Sequence, residues 1–104
     1  MPGIVVLTAV PDLRTARSIA HLLVKKKLAA CVTFGRGSRS VYRWKGKIES
    51  ASETQLFIKT TRRKFEKLKQ AVRGAHPYEL PEIIALPIIE GSSEYLSWLN
   101  RSLR

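Results

Sequence analysis

The sequence predicts an α+β domain in which a mostly antiparallel sheet carries its two main helices on one face. Three observations predict it. Apolar residues recur at helical spacing in two segments and as short β-branched or alternating runs in several others. These segments follow one another as β-α-β-β-(β)-α-β, with a short final helix. The chain is 104 residues long and 44% apolar, which suits one domain spanning residues 1–104 around one core and argues against disorder.

Taken in order, Ile4 to Val10 is a continuous apolar run, expected as a buried central strand. Pro11-Asp12 stops it, and Asp12 is a good N-cap for the first helix. Ala16, Ile19, Ala20, Leu23 and Val24 form that helix's apolar stripe, and Lys25-Lys26-Lys27 suits its C-terminal end. Leu28 to Phe34 reads as a second strand, loosened or bulged at Gly35-Arg36-Gly37. Val41 to Trp44 is a third, ending at the turn Lys45-Gly46-Lys47, with Ile48 and Glu49 continuing outward. A polar stretch, Ser50 to Glu53, precedes a strand from Thr54 to Thr60, with Leu56 and Ile58 on one face and Phe57 and Lys59 on the other.

The second helix is expected to be capped by Thr60 or Thr61, to bury Phe65, Leu68 and Val72, and to end with Gly74 at C′. Its outer face carries Arg62, Arg63, Lys64, Lys67, Lys69 and Arg73 against a single Glu66. His76 to Pro81 is a stiff connector, because each proline fixes its own φ and biases the residue before it. Glu82 to Ile89 is the last strand, and Pro87 places it at an edge or a bulge. Leu96, Leu99 and Leu103 face inward on the final helix. Right-handed crossovers turn this order into a ferredoxin-like split βαβ fold, with the second sheet face open and Tyr42, Trp44 and Phe57 in need of cover. An open sheet with long hairpin edges leads us to expect an oligomer.

The chain has 19 Lys and Arg against 8 Asp and Glu, a net charge of +11. That excess favours anionic partners and says nothing about fold. Apolar stretches fall far short of the roughly 20 residues a membrane span needs. The N-terminal Met1-Pro2-Gly3-Ile4 lacks a basic region and apolar core, so a cytoplasmic location is expected. Cys31 is the lone cysteine, which excludes internal disulfides and Cys-x-x-Cys zinc sites.

Four stretches carry a family resemblance: Lys27 to Val32, Tyr42 to Glu49, Ile58 to Thr60, and His76 to Ile84. Leu86-Pro87-Ile88, Gly91 and Tyr95 to Leu99 complete it in register. Together they resemble the CutA divalent-cation tolerance family, over nearly the whole chain. The resemblance implies a ferredoxin-like homotrimer built by edge pairing of the long hairpin, with an architecture similar to the PII signalling proteins. It also implies a role in divalent-metal tolerance, with copper(II) or another divalent cation as the ligand. In some copper-binding members the attributed ligands are a cysteine before the first Pro-Asp and two histidines before Pro-Tyr. Here Thr8 and Ala75 stand at two of those places, and only His76 remains.

His21, His76, Cys31 and Met1 are the chain's whole stock of imidazole and sulfur ligands. His76 is the candidate metal ligand, with Glu79 and Glu82 available beside it. The alternative for His76 is a loop imidazole that bonds a neighbouring carbonyl and holds the Pro77 turn. Cys31 sits in a small-residue apolar run and reads as a core thiol, and His21 as solvated. No GxSxG, P-loop or GxGxxG pattern is present, so no enzyme activity is expected. The alternative function is a trimer that binds a small anion in inter-subunit clefts, with Trp44, Lys59, Tyr78 and His76 as lining. Nucleic-acid binding by Arg36, Arg39, Arg43, Lys45 and Lys47 around Tyr42 and Trp44 is less favoured, because the paired aromatics of RNA-recognition sheets are missing.

Overall fold

The computed structural model describes residues 2–104; Met1 lies outside the described residues. The elements are β1 (Gly3–Val10), α1 (Leu13–Lys25), β2 (Cys31–Trp44), β3 (Lys47–Thr61), α2 (Phe65–Ala75), β4 (Ile84–Pro87) and α3 (Ser93–Ser102). One sheet runs in the order β2-β3-β1-β4 with every neighbouring pair antiparallel. This is the expected split βαβ arrangement.

Strand alternation decides the core. Ile4, Val6 and Val10 of β1 share a face with Leu56 and Ile58 of β3, and all five are buried against Ala16, Ile19 and Leu23 of α1 and Leu68 and Val72 of α2. Thr8 lies in the same row, fully buried, and its Oγ1 has no hydrogen-bond partner. Asp12 caps α1 as expected, its Oδ1 accepting from Thr15 N–H at 2.8 Å.

The largest departure from expectation lies between residues 28 and 60. Instead of separate short strands, β2 and β3 form one long hairpin arm, closed by Lys45 (φ 50°) and Gly46 (φ 81°). Two successive positive φ values make a twisted two-residue turn that matches the strands it joins. The polar stretch Ser50 to Glu53 is strand because it pairs with Ser38 to Val41, and the Arg39 guanidinium donates to Ser52 Oγ at 2.7 Å and Ser50 Oγ at 3.0 Å. An arm that is largely exposed beyond Glu53 needs no apolar alternation. The expected bulge is present, with one extra residue on β2 between Gly35 and Ser38.

Other boundaries shift for local reasons. Leu28 to Ala30 is not strand: Lys27 adopts φ 58°, and the N–H groups of Leu28 and Ala29 both donate to Leu23 O to close α1. Val24 is exposed, outside the α1 stripe. Neither threonine caps α2. Thr61 precedes a 3-10 turn at Arg62–Lys64 without a side-chain bond, and Thr60 Oγ1 donates to Leu28 O at 2.7 Å. Gly74 stays helical, and α2 ends at His76, whose backbone is extended (φ −87°, ψ 133°). The last strand is only Ile84–Pro87, with Pro87 on the sheet's outer edge. The second sheet face is not wholly open, because α3 packs across β1 and β3 and brings Tyr95 to Cys31. Cys31 pairs with Lys59, on the face opposite that of Ile58.

Candidate functional site

The hairpin and the connector after α2 enclose a groove of about 540 Å³. Ser40, Tyr42 and Trp44 reach it from alternate positions of β2, Ala51 and Glu53 from β3, and Ala9 from β1. The connector supplies the opposite wall with Pro77, Tyr78, Glu79, Leu80 and Glu82. The bulge sets this geometry: one extra residue carries Ser38 into register with Glu53, so Ser40 and Glu53 meet on the groove side.

Glu53 is the centre of the polar network. It is only 9% exposed. Its Oε2 accepts from the Tyr78 hydroxyl at 2.8 Å, and its Oε1 accepts from Ser40 Oγ in a short hydrogen bond. Burial, followed by the bond to Glu53 and that carboxylate's charge, pushes the Tyr78 phenol far above its ordinary value. Tyr78 therefore stays a donor.

His76 is buried beneath the groove and holds it in shape. A carbonyl oxygen can only accept, so Nε2 carries the proton and donates to Ala9 O at 2.8 Å. Nδ1 then accepts from the Tyr78 N–H at 3.2 Å. Both ring nitrogens are engaged, and the imidazole ring lies 4.8 Å from that of Tyr78. Burial lowers the His76 pKa below its ordinary value, opposed by the Ala9 carbonyl and by Glu53.

The structure thus brings together Trp44, Tyr78, Glu79 and Glu82, with His76 directly behind them. It does not bring Lys59, whose Nζ donates to Thr33 Oγ1 at 2.8 Å elsewhere on the sheet. Among the described residues, no lysine or arginine lines the groove. Glu53 and Ser40 were not singled out by sequence reasoning, because their convergence depends on the bulge. Cys31 is half-buried beside Tyr95, and His21 is exposed on α1. Of the two positions where the sequence departs from the attributed copper ligands, Thr8 is in the core and Ala75 is exposed. Among the described residues, no three His, Cys, Asp or Glu side chains gather in a group that could hold a metal ion. Among them too, no helix is long and apolar enough to cross a membrane.

Fold and groove together define a split βαβ protein with a long hairpin arm and an aromatic, carboxylate-lined cleft along that arm. The family model described as CutA1 divalent ion tolerance protein matches residues 4–102, and the chain belongs to that family. A divalent-cation tolerance protein CutA from Thermus thermophilus is 50% identical over 98 residues, covering 94% of this chain and 95% of that protein. One from Escherichia coli is 44% identical over 102 residues, covering 98% of this chain and 91% of that protein. Among solved structures, CutA from Xylella fastidiosa superposes with a TM-score of 0.95 at 41% identity over 98% of each chain. CutA1 from Oryza sativa gives 0.96 at 41% identity, over 100% of this chain and 95% of that one.

Proposed function

We propose that this chain acts as a homotrimer in the response to divalent metal ions, without catalysing a reaction. In this reading the cation is held at the groove's carboxylate rim. The observation that carries it is that Glu79 and Glu82 line the rim of a groove whose floor holds Glu53, in a member of a divalent ion tolerance family. Glu79 and Glu82 are exposed and free to donate oxygen ligands. His76 acts as a positioning residue, since a metal on Nδ1 would have to displace the Tyr78 N–H. Carboxylates accept divalent cations generally and do not single out copper, which prefers imidazole and thiolate. Because one subunit does not gather three donors among its described residues, we assign the remaining ligands to neighbouring subunits.

The trimer reading is supported by the arm. β2 is an edge strand of 14 residues, and Val41 and Ile48 on the arm are 72% and 64% exposed. Such an edge recruits another strand. Phe57, Ile84 and Leu86 add exposed apolar surface. Light scattering tests the assembly: a mass near three times 11.7 kDa supports it, and a monomer mass refutes it. Calorimetric titration of copper(II) into chelator-stripped protein tests the metal, with integral stoichiometry per subunit or per trimer expected.

The small-anion alternative draws on a different place from the one expected for it. Arg63, Lys64, Lys67 and Arg104 line a hollow with Thr61 and Asn100, and among the described residues no carboxylate side chain lines it. The nucleic-acid reading draws less, since Arg39 is tied down by Ser50 and Ser52.

A further inference from the structure

We propose that the groove between the arm and the connector binds a small organic cation of the alkylammonium class, with a quaternary ammonium as the best fit. Lys and Arg outnumber Asp and Glu by 19 to 8, yet the groove is lined by three of the eight acids and by none of the nineteen bases. A negative hollow in so basic a chain selects cations against the surrounding field.

Tyr42, Trp44 and Tyr78 all line the groove, and aromatic faces attract cations through their quadrupole. A metal ion needs lone pairs from oxygen, nitrogen or sulfur and gains little from ring faces. An alkylated ammonium makes the opposite demand, because its methyl groups pack on rings and its charge needs only a nearby carboxylate. Trp44 already draws such a partner, with Lys45 Nζ lying 5.9 Å from its ring centroid.

Glu53 is held by Tyr78 and Ser40, and the Tyr78 ring lies against His76, so charge and ring are set before a ligand arrives. Glu53 is buried with no cation paired to it; among the described residues the one ion pair is Lys69 with Glu66. A volume of about 540 Å³ accommodates a small ligand.

The proposal does not rest on the metal reading, and the test separates them. Tetramethylammonium chloride is titrated into the full-length protein in chelator, following Trp44 fluorescence in a Trp98→Phe background. Neutral tert-butanol serves as the shape control. The expected result is saturation at one per subunit, at least about tenfold tighter than tert-butanol. Glu53→Gln and Trp44→Leu, read by calorimetry, should each weaken binding about tenfold, and Lys45→Gln should preserve or tighten it. Glu79→Gln, on the exposed rim, keeps the charge argument testable if Glu53→Gln does not fold, and should also weaken binding. Absence of saturation, equal affinity for tert-butanol, or indifference to these variants overturns the proposal. Copper binding without tetramethylammonium binding would overturn it while leaving the metal reading intact.

Discussion

Replacing His76 with alanine tests how the groove is held together. The imidazole makes two hydrogen bonds in a buried setting, one to Ala9 O and one from the Tyr78 N–H. Each contributes about 0.5–1.5 kcal/mol net, and a buried partner left unsatisfied costs about 1–3 kcal/mol. His76→Ala should therefore lose about 2–4 kcal/mol, allowing for partial rescue by water. The loss also depends on pH. Burial lowers the folded-state pKa below the ordinary 6.5, so on acidification the unfolded chain takes up its proton first. The stability contributed by neutral His76 is present above 6.5 and is lost as pH falls through the folded value. Urea denaturation of parent and variant, on both sides of that range and at fixed protein concentration, reads both effects. The variant should be weaker at neutral pH and flatter on mild acidification. A variant within about 0.5 kcal/mol of the parent, within the range of ordinary surface changes, or one with an unchanged acid response, would refute the positioning role.

Three further outcomes follow from single contacts. Glu53→Gln removes the charge that helps hold the Tyr78 phenol protonated, so spectroscopic titration should show one tyrosine ionising at lower pH; an unchanged profile would contradict the network. Thr8→Val replaces a buried, unpartnered hydroxyl with a methyl group of like shape and should stabilise the fold by about 1 kcal/mol, read as a higher urea midpoint. Gly46→Ala places a Cβ at φ 81° and should cost about 1–2 kcal/mol, with a neutral result arguing against the positive-φ turn.

Legibility in the sequence followed the source of each constraint. β1, both main helices and the split of Leu56 and Ile58 from Phe57 were readable because burial on one face imposes a period. The arm was not readable in full, because Ser50 to Ser52 pair in a mostly exposed ladder where no apolar pattern is required. The groove was half legible. Trp44, Tyr78, Glu79 and Glu82 stood out as residue types near prolines and a turn. Glu53 and Ser40 did not, since one inserted residue between Gly35 and Ser38 decides that they meet. Lys59 lies opposite Val5 in strand register, outside the groove of a single chain, and its expected place in an inter-subunit cleft concerns the assembly.

The central claim is that the groove's carboxylates make it a cation site. Its most direct test is titration of manganese(II), a divalent cation that takes oxygen ligands, into chelator-stripped protein, comparing the parent with a Glu79→Gln/Glu82→Gln double variant. Both positions are exposed, so the fold should tolerate the change. The account predicts saturable binding at an integral stoichiometry in the parent, and binding weakened by about tenfold or more in the variant. Identical isotherms, or no saturable binding in the parent, would contradict it.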